Sequence, residues 1–320
     1  MRQKWIAKVL IVYLVPTIVT AHTMVASFGS EVLRVTTIAP KLQAVEPVFR
    51  VPRDTEIGNL WICWYDGAPI NTLPLPTPRA VAQTARAGQT FVAEAVELTP
   101  LGTEWIRVGS PREGESLYVP LAYCVRVAPE NTVRDDLPIG QENLDSYNGL
   151  PPHYRPSDLA RLPNRYCYND MPQYLRAEAA AACMRMLDAA RAEARLHIKA
   201  LSAFRSAQTQ AYLCRQKIAS SGIWQREVAR PGHSEHQLGT TVDLVGANGL
   251  YLLDEAFDST REGRWLRANC HRFGFVQTYY PRGARLNGDT FEPWHFRYVR
   301  RENVERFVST LDLGPSTLDF

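Results

Sequence analysis

The sequence has no Cys-x-x-Cys pair, no block of like charge and only one extended apolar run. Each absence closes off a class. Without closely spaced cysteines there is no thiolate zinc cluster of the finger or ribbon kind. With 36 Lys and Arg against 33 Asp and Glu, net charge +3, the chain lacks the basic stripe that a phosphate backbone needs, so a nucleic-acid partner is excluded. The apolar run, residues 9–21, is short for a bilayer span and holds Pro16. Arg2, Lys4 and Lys8 precede it, Val19 and Ala21 supply small residues, and no further charge follows until Glu31. That pattern reads as a secretory signal over residues 1–30, with a retained membrane anchor as the alternative. Both readings export the rest of the chain. No cysteine lies near the run, which argues against a lipid-anchored cysteine.

What is present is a chain of 320 residues, 45% hydrophobic, enough for one large or two modest domains. Its six cysteines are an even count, which in an oxidising compartment permits disulfides; buried free thiols are the alternative. Cys63 with Cys124 is the favoured pairing, because both fall in the same N-terminal region. Residues 31–127 read as β-rich, with apolar and aromatic runs at 60–65, 90–98, 104–108 and 117–127. Asp66-Gly67, residues 100–102 and residues 112–114 supply turns, and residues 74–86 are expected as a long loop. Residues 128–156 are polar and proline-rich and read as a linker or an irregular wrap. From 157 to 320 helix and strand signals alternate. Helices are expected at 176–195, 206–221, 260–273 and 302–311, and strands at 196–201, 242–245, 275–280 and 295–299. Ala179, Cys183, Leu187, Ala190 and Ala194 form the apolar stripe of the first helix. This is the pattern of an α+β domain with an antiparallel sheet.

Two segments carry chemistry. In residues 231–246, His236 lies seven residues before Asp243, with Gly239 between them to allow a tight turn. Asp243 sits inside the apolar run Val-Asp-Leu-Val, where a bare charge is costly unless paired or bound to a metal. In residues 291–299, Glu292 and His295 flank Pro293-Trp294, and the proline rules out a regular helix there. Taken singly, each segment also fits a bland reading: a strand-edge Asp bonded to backbone, a capping Glu beside a buried His. Together, two imidazoles and one carboxylate make a catalytic Zn2+ site with a fourth position open. Glu292 is then available as the base.

The same residues resemble the VanY-type D-alanyl-D-alanine carboxypeptidases, whose signature is Ser-x-His-x-x-Gly-x-Ala-x-Asp followed by Glu-x-x-His. Ser234, His236, Gly239, Asp243, Glu292 and His295 match it, and Thr241 stands where the signature has Ala. A packing change is expected from that departure. The family's Ser-x-x-Arg-Ser-x-x-x-Gln stretch reads Ser202, Arg205, Ser206 and Gln210 here. The resemblance implies a zinc peptidase domain over residues 157–320. Zn2+ would sit on His236, Asp243 and His295, Glu292 and Arg205 would act in catalysis, and Gln210, Ser234, Ser202 and Trp294 would meet the substrate. Trp294 also fits core packing, His233 is a candidate neighbour of the site, and Tyr279 and Tyr280 are candidates to line the cleft. It further implies a D,D-carboxypeptidase acting on peptidoglycan stem peptides in the periplasm or cell envelope of a bacterium. An L,D-carboxypeptidase acting on tetrapeptide stems and a non-catalytic wall-binding protein are the alternatives. The runs at 103–108 and 116–127 resemble the ending of bacterial SH3-like barrels, which implies a small all-β domain before the peptidase.

Overall fold

The computed structural model describes residues 60–100, 102–110, 115–127, 136–142, 144, 148–279 and 291–310. The signal or anchor segment, Tyr280 and the first part of the expected linker lie outside these residues. Among the described residues, no helix is long and apolar enough to cross a membrane.

Seven strands open the described chain: β1 (Leu60–Cys63), β2 (Ala68–Asn71), β3 (Val81–Ala85), β4 (Thr90–Leu98), β5 (Glu104–Gly109), β6 (Ser116–Pro120) and β7 (Cys124–Arg126). They form one antiparallel sheet in the order β3-β2-β6-β5-β4-β1-β7. The inward side chains of Trp61, Cys63, Ile70, Phe91, Ile106 and Val119 make its core. Trp105 is buried against Trp224, 5.5 Å between rings, and donates its indole N–H to Thr103.

Two expectations need correcting here. Residues 74–86 are not loop throughout, because β3 pairs with β2 inside that stretch. β3 is an edge strand with four of its five residues exposed, so it lacks the in–out alternation that betrays a strand in sequence. The apolar run at 117–127 is not one strand. Its pairing breaks after Pro120, which has no N–H to give a ladder, and a 3-10 turn at Leu121–Tyr123 intervenes.

The remaining elements are β8 (Leu159–Arg161), β9 (Tyr174–Arg176), α1 (Ala177–Ala194), β10 (Ile198–Ser202), α2 (Ala207–Ser221), β11 (Thr241–Gly246), α3 (Arg261–Asn269), β12 (Phe275–Gln277), β13 (His295–Tyr298) and α4 (Val304–Thr310). β8 and β9 form a short ribbon, while β10-β11-β13-β12 form a second antiparallel sheet. α1 lays Ala179, Cys183, Met186, Leu187 and Ala190 against Val242, Leu244 and Phe296 of that sheet. Full burial of a side chain such as Leu244 or Phe296 stabilises the fold by about 1.5–3 kcal/mol. Ser206 caps α2 by accepting from the Thr209 N–H at 3.2 Å, as Thr260 caps α3 through the Gly263 N–H at 2.9 Å.

Helix α2 packs on the seven-stranded sheet. Ala211, Cys214 and Ile218 join the apolar cluster of the seven-stranded sheet. Arg230 reinforces the junction by donating to the carbonyls of Leu121 and Cys124. The described part of residues 128–156 takes the irregular wrap rather than the linker of the two readings. Leu137, Leu144, Leu150 and Tyr154 pack around Leu238, and Arg176 donates to the Leu137 carbonyl. All six cysteines are buried free thiols, so the expected disulfide is not formed, although Cys63 faces Cys124 in the β1–β7 register.

Candidate metal centre

Three strands and one turn assemble the site. Cross-strand pairing sets Asp243 of β11 opposite His295 of β13. On the other side of β11, a bulge between Ala200 and Ser202 brings Ser202 opposite the same Asp243. A bulge re-aims side chains at a ladder, which is its use here. His236 comes from the 3-10 turn Glu235–Leu238 that precedes β11. That turn ends on Gly239 at φ 71°, and a Cβ there would stand 3.0–3.2 Å from Leu159, Pro156 and Arg176. Conformation and space both call for glycine.

The hydrogen bonds fix which nitrogen of each imidazole is free. His236 uses Nδ1 toward the Ala203 carbonyl at 2.7 Å, which leaves Nε2 facing Asp243 Oδ2 at 3.2 Å. His295 uses Nε2 toward Glu235 Oε2 at 2.9 Å, which leaves Nδ1 facing Asp243 Oδ1 at 3.2 Å. Nδ1 of His295 and Oδ1 of Asp243 are buried and have no hydrogen-bond partner among the described residues. One donor atom from each of His236, Asp243 and His295 lies within 4.8 Å of the others. Two imidazole nitrogens and a carboxylate converge there, and two of the converging atoms have no hydrogen-bond partner among the described residues, a donor set that fits a zinc ion. The outer hydrogen bonds to Ala203 and Glu235 hold the two rings in the required tautomers.

The electrostatics agree. Burial raises the Asp243 carboxyl, but His236 and His295 outweigh it and hold it well below the usual carboxylate range. Burial disfavours charge on His295, yet Asp243 and Glu235 overcome that and lift it to about 10. The pocket therefore attracts positive charge. Burial depresses His236, with Asp243 opposing and Arg205 assisting. Glu292 stands 3.3 Å from His295 Nδ1, and burial pushes its carboxyl up to about 7 against the pull of His295.

Arg205 reaches to 4.0 Å from Asp243. Its Nη1 donates to Gln210 Oε1 at 2.9 Å and its Nη2 to Ser202 Oγ at 3.3 Å. Gln210 is itself buried and donates to the Ala229 carbonyl at 2.7 Å, so one end of its amide accepts from the guanidinium and the other is anchored on backbone. Ser234 is buried at the start of the His236 turn, and His233 is buried beside it. Trp294 packs in the core cluster with Leu244 and Phe296. Tyr279 presents its ring edge-on to His295 at 4.6 Å between centroids. Thr241, the departure from the signature, is buried with no hydrogen-bond partner for its hydroxyl among the described residues.

The reading of residues missed Glu235. It is fully buried, accepts from Thr278 at 2.7 Å as well as facing His295, and pairs with Arg297 at 2.9 Å. Burial raises its carboxyl, but Arg297 and His295 prevail and bring it down to about 2. A signal existed. Arg297 lies two residues beyond His295 on one strand, hence on the same face, and an inward arginine demands a carboxylate.

An α+β domain built around two imidazoles and one carboxylate, with a further carboxylate and a guanidinium alongside, has the make-up of a metal-dependent hydrolase. Residues 172–301 match the family model described as VanY: D-alanyl-D-alanine carboxypeptidase, and over that span the chain belongs to this family. A protein of Bacillus subtilis (strain 168) named as a carboxypeptidase, YodJ, is 34% identical over 157 residues, covering 48% of this chain and 57% of its own. A D-alanyl-D-alanine carboxypeptidase of Enterococcus faecalis (strain ATCC 700802 / V583) is 40% identical over 93 residues, 29% of this chain and 31% of its own. The chain thus spans less than two thirds of the length of these curated relatives. Among solved structures, the LdcB LD-carboxypeptidase is 32% identical with a TM-score of 0.49, over 52% of this chain and 79% of that one.

Proposed function

We propose that this protein is a zinc-dependent D,D-carboxypeptidase that removes the terminal D-Ala from peptidoglycan stem peptides. One observation carries the reading: donor atoms of His236, Asp243 and His295 converge beside Glu292 and Arg205, with Nδ1 of His295 and Oδ1 of Asp243 lacking a hydrogen-bond partner among the described residues. A zinc ion held by these three residues would supply Lewis acidity toward a peptide carbonyl and a water of lowered pKa. Glu292 is within reach to take a proton from the attacking water and return it to the leaving amine. Arg205, oriented by Gln210 and Ser202, offers a planar fork to the substrate's terminal carboxylate or to the developing oxyanion. With its amide spent on Arg205 and Ala229, Gln210 works through the guanidinium; Ser202 and Ser234 remain candidates for substrate contact. Trp294 backs the site from the core.

The name of the matching family and that of the Enterococcus relative favour the D,D bond. Removal of D-Ala from a tetrapeptide would use the same residues. The seven-stranded sheet reads as an SH3-like module that engages wall material, supported by the β5–β6 ladder and its buried Trp105 and Val119. The apolar run at 9–21 supports export to the periplasm or cell envelope, by signal or anchor. The test is incubation of the full chain with pentapeptide and tetrapeptide muropeptides, with and without chelator, read by mass spectrometry. Chelator-sensitive loss of one alanine from the pentapeptide is expected. Loss confined to the tetrapeptide would replace D,D with L,D, and no chelator-sensitive loss would overturn both.

A further inference from the structure

The geometry points to Glu142, contributed by the segment ahead of the peptidase domain, as a positioning residue for the metal ligand His295. The inference rests on the zinc reading above. Arg297 is the link. Its guanidinium donates through Nη1 to Glu235 Oε1 at 2.9 Å and through Nη2 to Glu142 Oε2 at 3.1 Å. The side chains of Arg297, Glu142 and Glu235 are 1%, 1% and 0% exposed. The other oxygen of Glu235 faces Nε2 of His295. Glu142 is steadied from its own side by the Gly140 N–H, which donates to it at 2.7 Å. A continuous line therefore runs from Glu142 through Arg297 and Glu235 to the ligand, and it crosses 155 residues of sequence in its first step.

The charges give the line its consequence. Arg297 divides one positive charge between two buried carboxylates. Remove the charge of Glu142 and the guanidinium is left to Glu235 alone, which then accepts less strongly from the His295 N–H. A weaker acceptor makes Nδ1 a poorer donor, and outer partners of this kind alter metal affinity by 10–100-fold when lost directly. Glu142 acts one step further out, so the lower end is expected.

The test is the zinc dissociation constant of the full chain, by chelator competition. Glu142→Gln is expected to weaken zinc binding about tenfold. Glu142→Asp, which keeps the charge, is expected to recover most of that affinity. Asp158→Asn is the control: it removes the partner of Arg176, the residue that also holds this segment through Leu137. That variant should lower the melting temperature and leave zinc affinity unchanged. Equal affinity in Glu142→Gln and wild type, or equal loss in Asp158→Asn, would overturn the proposal and leave the zinc reading intact. If wild type bound no zinc, both would fall. Should Glu142→Gln not fold, Glu142→Ala takes its place: about tenfold weaker zinc binding beside wild-type affinity in Asp158→Asn would support the proposal, and wild-type affinity in Glu142→Ala would overturn it.

A separate observation carries a second proposal: we infer that Cys63 and Cys124 are a site of disulfide formation. They are register partners of the antiparallel pair β1–β7. The adjacent Trp64 N–H donates to Tyr123, whereas Cys63 spends its own N–H on Gln89 and its carbonyl on Gly88. Cys63 and Cys124 are thus a non-hydrogen-bonded pair, the kind with Cα atoms about 4.5 Å apart and side chains closest. That lies within the span a disulfide bridges. With glutathione disulfide as oxidant, one cysteine thiolate attacks it and expels a glutathione thiolate. The second cysteine thiolate then attacks the mixed disulfide and expels another. Two thiol protons are lost, and the two electrons reside on the released glutathione.

Treatment of the full chain with glutathione disulfide at low urea, then alkylation and proteolysis without reductant, should yield a reducible Cys63–Cys124 peptide and raise the melting temperature by several degrees. Cys63→Ser should lose both effects. Alkylated Cys63 and Cys124 after oxidation, or linkage of either to Cys214, would overturn it.

Discussion

The two sheets bury opposite kinds of residue. Around the seven-stranded sheet the buried polar side chains are few, Asn71 and Thr103, while Trp61, Trp64, Trp105, Ile62 and Ile106 fill the interior. Around the four-stranded sheet the buried set includes Glu235, His236, Asp243, Thr278, His295 and Arg297. The first sheet is stabilised by area removed from water and asks little of its neighbours beyond shape. The second carries a desolvation cost for each ion, offset only where every charge has a partner. Buried charge is tolerated where chemistry needs it. That contrast puts the proposed chemistry in the second sheet.

The comparison can be broken first at the ligands. His236→Ala should abolish chelator-sensitive hydrolysis and the stoichiometric zinc signal, while the seven-stranded sheet keeps its near-UV circular dichroism. Glu292→Ala should lower kcat by about 10²–10⁴-fold and retain zinc, which separates chemistry from binding in one variant. Persistent activity in that variant would remove Glu292 from the mechanism. In the first sheet, Trp105→Ala should cost about 3–5 kcal/mol by urea unfolding, with the activity of the folded fraction little changed. A matching loss of activity would mean that the sheet takes part in the reaction.

Smaller effects sharpen the contrast. Thr241→Val replaces a buried hydroxyl without a partner by a methyl of similar shape, and should stabilise the fold by about 1 kcal/mol. Destabilisation would point to a water or substrate contact at that hydroxyl. The smallest change is expected at Glu178. Burial raises its carboxyl, but Arg300 and Tyr298 outweigh this and lower it. A carboxyl depressed in the folded state adds stability that is present above its unfolded value, about pH 4.3, and is lost as pH falls below it. The pair is more than a third exposed, so Glu178→Gln should cost under about 1 kcal/mol at pH 7 and progressively less as pH falls through the lowered folded-state value.

Much of the second domain was legible without coordinates because its signals are local. The apolar spacing of Ala179, Cys183 and Leu187 marks α1, Ser206 marks the start of α2, and Val-Asp-Leu-Val marks β11. The first sheet was read less well. β3 is exposed over most of its length and so carries no periodicity, and Pro120 divides a run that looks continuous. The domain boundaries followed changes in composition, which say nothing of α2, in the second region of the sequence, packing against the first sheet.

By itself the sequence determined the candidate donor set and candidate base: His236, Asp243, His295 and Glu292 stand out by residue type and short spacing. Tertiary structure alone decided which nitrogen of each ring is free, through Ala203 and Glu235. It also decided that Gln210 accepts from Arg205, and that Glu142 lies against Arg297. The physical reason is the same in each case. A ligand's identity is a property of one residue, but its tautomer, orientation and basicity are set by partners that only folding brings within 3 Å or so.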